Sequence, residues 1–355
     1  MYDQVREDTV YIMLYAVVTA MAIIASCYLL FRRANAIAPD VTSSVRLRRW
    51  TGLLFASIAL DHVWYMPIFF LSSSEDIKMV DLVGGLLDFM TLFPLAIIVL
   101  FAMLQDRRRP LWPVALMMAP LVAVGIFTVV TRSYVPQSMV YAYSLLMFIG
   151  LIIYMVREVR QYGCWLRDNF ADLEHKEVWQ SFAVLAIIML VFVAYAFVSE
   201  GPFYQYAIKV IIVVLICYLL WRVETLSELN IPVNDSPSLS MRNNVGPLLK
   251  LHCEEPQLYL QYDLTLSQLA QTIGTNRLYL SQHFSSQDTT YNAYINGLRI
   301  QHFINLYRES VVTHQPVTAQ ELAHQSGFRN YNTFSAAFKR IMGMNATEWM
   351  LHVKS

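Results

Sequence analysis

The chain has 355 residues, room for two or three domains. Hydrophobic types make up 56% and charged types 15%, and 26 Lys plus Arg balance 26 Asp plus Glu; an ordinary soluble chain carries about 25% charged residues. This excludes a disordered chain, a collagen-like chain and a globally basic nucleic-acid coat, and the scattered Cys27, Cys164, Cys217 and Cys253 argue against a disulfide scaffold or a cysteine-based zinc site.

In chain order, seven apolar runs come first: Thr9–Phe31, Trp50–Leu71, Val80–Leu104, Leu111–Val130, Ser138–Val156, Ser181–Val198 and Phe203–Trp221. A helix of ~20 apolar residues crosses the ~30 Å hydrocarbon layer of a bilayer. One globular core cannot hide seven helices that are apolar all round, so residues 1–222 are predicted to be a seven-span transmembrane bundle. The first run is longer than a signal peptide and its leading flank is acidic, so it is read as a retained helix. Orientation follows from the loop cations. Arg32, Arg33, Arg46, Arg48, Arg49, Arg107, Arg108, Arg109, Arg157, Arg160, Arg167 and Lys176 fall on one side, against Arg6, Lys78 and Arg132 on the other. The cation-rich side is cytoplasmic, which puts the N-terminus outside. Trp50, Trp112, Trp179 and Trp221 sit at the same cytoplasmic edge.

Residues 223–246 read as a linker. Ile231-Pro232-Val233-Asn234-Asp235-Ser236-Pro237-Ser238 concentrates turn formers. From residue 247 to 355 the pattern is helical, so the fold class is all-α. Two stretches there repeat each other, Leu264–Gly274 and Val317–Gly327. In each, a threonine (Thr265, Thr318) can cap a short helix, a small residue (Ala270, Ala323) permits a close helix crossing, and a glycine four residues on supplies the positive φ of a tight turn. A second helix follows each glycine, over Asn276–Phe284 and Tyr331–Ile341, and a longer one near Thr290–Glu309 joins the pairs. Two helix-turn-helix motifs are therefore predicted, at 264–284 and 317–341.

Leu248–His352 resembles the DNA-binding domain of AraC/XylS-type transcription regulators. The resemblance is carried by Gly327-Phe328, Asn332, Phe334, Phe338-Lys339 and Gly343. It extends to Leu269-Ala270, Gly274, Tyr279-Leu280-Ser281, Phe284 and the joining Tyr294-Ile295-Asn296-Gly297-Leu298-Arg299-Ile300. The chain departs from the family at Asn345-Ala346, where Thr-Pro or Ser-Pro is usual, and at Met350, where an arginine is. It is also one residue short between Phe284 and Tyr294, and lacks a common glycine near Asp288. The whole chain is similar to membrane-anchored members of the family. The resemblance implies base contacts at Leu278, Ser281, Gln282, Tyr331, Asn332, Ser335 and Ala336. Chemically, Gln282 and Asn332 can pair bidentately with adenine, while Arg277, Arg329, Lys339 and Arg340 suit phosphates and Asn330 stands at the entrance of the second stripe. From Ser240 onward nine Lys or Arg face seven Asp or Glu, so affinity per domain should be modest, and a homodimer would add to it.

Ionisable residues inside spans are candidates for sensing a small molecule or proton: Asp61, His62, Asp88 and Lys209. The bland reading is an internal ion pair that fixes packing. No nucleotide-binding loop, paired metal-binding histidines or nucleophile motif occurs, so no enzyme, metal or cofactor is predicted. The expected function is a membrane-anchored one-component transcription regulator whose partners are promoter DNA and the lipid bilayer. The alternative is a transporter or membrane enzyme with a fused autoregulatory DNA-binding domain. With a slack linker of ~22 Å root-mean-square reach, a signal must act through subunit pairing or through docking of the domain on the basic loops; pairing is the favoured route.

Overall fold

The computed structural model describes residues 8–39, 41–71, 73–132, 137–173, 176–187, 202–229 and 245–354. All regular structure among them is helical. The chain forms two compact units, Met1–Arg160 with Val178–Leu229, and Gln161–Glu177 with Asn230–Ser355.

The first unit contains α1 (Thr9–Phe31), α2 (Val45–Trp64), α3 (Ser74–Met103), α4 (Trp112–Thr131), most of α5 (Gln137–Asn169) and α6 (Pro202–Thr225). A single 3₁₀ turn, Met66–Phe69, follows α2. Six helical stretches among the described residues are long and apolar enough to cross a bilayer. Of the remaining run, Ser181–Val198, residues 181–187 are helical and 188–198 lie outside the described residues.

Helix α1 packs on α2 and α6, and α3 packs on α2 and α4. The α1–α2 contact is close because small residues line it. Ala22 and Ala25 are buried, Ser26 Oγ donates to Gly52 O at 2.8 Å, and a Cβ on Gly52 would lie 2.8 Å from Leu30 Cγ. The outward faces stay apolar: Ile24, Leu116, Leu146 and Ile153 are each 64–69% exposed. In water such a surface would be unstable, whereas hydrocarbon accepts it.

Polar networks close one end of this unit. Glu224 is fully buried and accepts from the amides of Ala36 and Ile37 at 3.0 and 2.7 Å and from the Tyr28 hydroxyl. Arg48 reaches Asn35 Oδ1 and Arg32 O, each at 2.7 Å. Glu158 holds Arg109 at 2.6 Å and Arg107 at 2.8 Å. Helix α6 runs on to Thr225, and Glu228 and Leu229 donate to Thr42 O at 2.8 Å and Gln105 Oε1 at 2.9 Å. Residues 223–229, read from sequence as the start of the linker, are thus fastened to this unit. Turn formers signal where a helix can stop, but not which loop carbonyls the next residues find. The remainder, 230–244, lies outside the described residues.

The second unit holds α7 (Val245–Leu249), α8 (Leu266–Thr272), α9 (Arg277–Ser286), α10 (Tyr291–Val312), α11 (Ala319–Gln325), α12 (Tyr331–Met342) and α13 (Ala346–Lys354), together with 161–177. It has two cores. The first gathers Leu249, Cys253, Leu266, Leu269, Ala270, Leu280, Phe284, Tyr291 and Ile295, and the second Ile300, Phe303, Tyr307, Leu322, Phe328, Phe334, Phe338 and Trp349. Helix α10 feeds its first two turns into one core and its later turns into the other, so it serves both motifs as a common spine.

Candidate nucleic-acid interface

Both motifs start with a reciprocal cap. Thr265 Oγ1 accepts from Gln268 N while Gln268 Oε1 accepts from Thr265 N, at 3.2 and 2.8 Å. Thr318 and Glu321 do the same at 3.2 and 2.9 Å. The turns carry the expected glycines, Gly274 at φ +75° and Gly327 at φ +85°. They differ in surroundings. A Cβ at Gly274 would meet open space, whereas one at Gly327 would lie 2.7 Å from Leu260 Cα.

Asparagines then cap the outer helices, Asn276 accepting from Tyr279 N at 2.8 Å and Asn330 from Asn332 N at 2.7 Å. Each outer helix splits into two faces. On α9, Leu280 and Phe284 are buried while Leu278 and Gln282 are exposed and Arg277 and Ser281 half-buried. On α12, Phe334 and Phe338 are buried while Asn332, Ala336, Lys339 and Arg340 are exposed and Ser335 half-buried. Tyr331 is half-buried, its ring 5.5 Å from that of Phe334. Arg329 is exposed and stands 3.8 Å from Asp263.

Two of the departures from the family pattern have local substitutes. Asn345 caps α13, its Oδ1 accepting from Glu348 N at 2.8 Å, as a serine or threonine would. Asp288 adopts φ +51°, a left-handed conformation that aspartate tolerates better than most residues.

Three residues have structural roles that the outer-face reading did not assign. Arg299 is fully buried in α10. Its Nε donates to Tyr259 O and its Nη2 to Gln261 O, both at 2.7 Å, and its guanidinium lies 5.5 Å from the Phe328 ring centroid. It therefore ties the loop before the first motif to the second motif. Asn292 and Asn296, also buried in α10, donate to the chain at 170–171. Their signal in the sequence is polarity on a face that is otherwise Tyr291, Ile295 and Ile300.

The ionisable residues of the first unit converge. His62 Nδ1 lies 2.9 Å from Ile58 O and 3.3 Å from Asp61 Oδ2, which leaves Nε2 to accept from Lys209 Nζ at 3.1 Å. The Lys209 ammonium stands 4.7 Å from the Tyr15 ring centroid. Asp88 accepts from Trp64 Nε1 at 3.0 Å and stands close to Asp61 and Tyr65. All four predicted residues thus belong to one cluster drawn from α2, α3 and α6.

Residues 269–351 match the model of a helix-turn-helix domain family, the AraC-type one. The match covers both motifs from Leu269 onward and supports double-stranded DNA as their partner and transcription regulation as their role. No curated protein and no solved structure matches the chain.

Proposed function

We propose that this protein is a membrane-anchored one-component transcription regulator. Its second unit reads promoter DNA, and its first unit spans the bilayer seven times with the N-terminus outside. The observation that carries the reading is the pairing of two features in one chain. Two capped helix-turn-helix motifs offer outer faces of polar and basic side chains over separate cores. The other unit is a set of long helices whose outward faces are apolar. In the reading of α9 and α12, Gln282 and Asn332 contact base edges, Leu278 packs against a thymine methyl, and Ser281, Ser335, Ala336 and Tyr331 complete the fit. Arg277, Arg329, Lys339 and Arg340 neutralise phosphates. No catalysis is assigned to either unit.

The Asp61–His62–Asp88–Lys209 cluster is the sensing element in this proposal. Two carboxyls face one ammonium and a histidine whose ring bonds fit the neutral form. The charges balance when the carboxyls share a proton, so proton gain or loss, or a small molecule that pairs with one of them, would change the pairing. A homodimer of the anchored chain raises the effective concentration of DNA-binding domains and offsets the near-neutral charge of each.

The deciding experiment maps the DNA that copurifies with the full-length protein from alkali-washed membranes. Recovery of a recurrent sequence from the membrane fraction supports the reading. Recovery of the protein in the soluble fraction, or of DNA with no recurrent sequence, overturns it. Substrate flux in proteoliposomes would favour a transporter with a fused DNA-binding domain.

A further inference from the structure

The segment immediately after α5 is built into the DNA-binding unit. Ala171 is fully buried and belongs to the first core together with Leu266, Leu269 and Tyr291. Phe170 forms an antiparallel bridge with Thr265, the cap of α8. Asn292 Nδ2 donates to Ala171 O at 2.6 Å and to Phe170 O at 3.2 Å, and Asn296 Nδ2 donates to Ala171 O at 3.2 Å. Asn292 Oδ1 in turn accepts from Arg340 at 3.3 Å, near the end of the second recognition helix. Asp172 is close enough to Arg299 to favour its charge. The end of α5 and the residues after it pack on one another: Trp165 lies 5.7 Å from Tyr162 and 5.8 Å from Phe170, and Lys176 stands over Phe170.

We propose that Phe170–Asp172 is an internal docking strap, and that the DNA affinity of the protein depends on its being seated between α8 and α10. This rests on the regulator reading above. The physical basis is satisfaction and fill. Two buried carboxamides have backbone carbonyls of the strap as acceptors, and a buried amide left without a partner is costly. Ala171 fills space that would otherwise expose the first core. The strap touches the cap of the first motif directly and the second recognition helix through Asn292 and Arg340, so both DNA-reading elements depend on one short segment. The chain enters the strap from α5, one unbroken helix of 33 residues. A shift of α5 along or about its axis therefore acts on Phe170 without passing through residues 230–244.

Antiparallel partners have Cα atoms about 4.5–5.5 Å apart, within disulfide reach. The test uses the full-length chain in membranes, with Cys27, Cys164 and Cys217 replaced by serine, and introduces Phe170→Cys with Thr265→Cys. Mass-tagging under denaturing conditions should count three thiols in the reduced protein and one, Cys253, after oxidation. The probe is a DNA sequence selected from a random pool by the wild-type protein. Oxidised protein should bind it at least as tightly as the reduced form of the same variant, in which the Thr265 cap is equally absent. Ala171→Asp, which puts a charge into the core, should bind at least tenfold more weakly, and the oxidised cysteine pair introduced into that variant should recover most of the loss. Three thiols after oxidation would mean that the strap does not sit at Thr265. Equal binding by wild type, Ala171→Asp and both redox forms would overturn the proposal. If wild type selects no sequence, the regulator reading itself fails, independently of the thiol count.

Discussion

At the residue scale, the outer faces of α9 and α12 make sharply different demands on their side chains. Gln282 and Asn332 are exposed amides over the buried pairs Leu280–Phe284 and Phe334–Phe338. Replacing either with alanine should relax base preference by roughly 1–3 kcal/mol at one position, read by competition among single-base variants of the bound sequence. Lys339→Ala should weaken all sequences alike and reduce the slope of log affinity against log salt by about one unit. The turn glycines separate in the same way. Gly274→Ala strains only the positive φ and should cost about 1 kcal/mol of stability. Gly327→Ala adds a collision with the Leu260 backbone at 2.7 Å and should cost about 3 kcal/mol or more, read as a lower denaturation midpoint. The periodicity of α9 and α12 made the exposed faces legible. The contact between Gly327 and Leu260 was not, because those residues are 67 positions apart in the chain.

At the element scale, the two motifs begin with the same cap in two chemical forms. The first uses Gln268, which does not titrate, and the second uses Glu321. Hydrogen bonds from the Thr318 amide and hydroxyl hold the Glu321 carboxyl below its ordinary value of 4.5. A carboxyl depressed in the folded state stabilises it above the unfolded pKa, and that contribution disappears as pH falls through the folded value. The second motif should therefore lose stability on acidification below about pH 4.5 through this group. Glu321→Gln should flatten this part of the acid profile of the melting temperature and leave Thr265 and Gln268 unaffected. Thr318→Ala should remove about 1 kcal/mol at neutral pH. Both caps were legible because a threonine three residues before Gln or Glu is a local signature. The extension of α6 to Thr225 and the fastening of Glu228 and Leu229 were not, since their acceptors, Thr42 and Gln105, come from distant loops.

At the scale of the whole molecule, the reading of a membrane anchor leads to a direct check. Reporter fusions at the C-terminus should be active only in a cytoplasmic format, and fusions ahead of α1 only outside. Asp61→Asn and Asp88→Asn should each change promoter output, with crosslinked dimer measured in the same membranes. A change in output at constant dimer fraction would rule out subunit pairing as the route and leave docking of the domain on the basic loops or the strap. Composition and periodicity determined by themselves that the regular structure of the described residues is helical, that the first part is rich in long apolar helices, and that the last part carries two capped motifs with named outer residues. Each of those features is local, set by residues within one or two turns of each other. Only the tertiary structure decided that Asp61, His62, Asp88 and Lys209 meet in one cluster, that Arg299 bridges the two motifs from the inside, and that Ala171 completes the first core. These depend on which carbonyl or side chain a buried polar group finds across the fold. Chain spacing does not encode that choice, because hydrogen-bond partners over 100 residues apart, such as Asn292 and Ala171, leave no periodic trace.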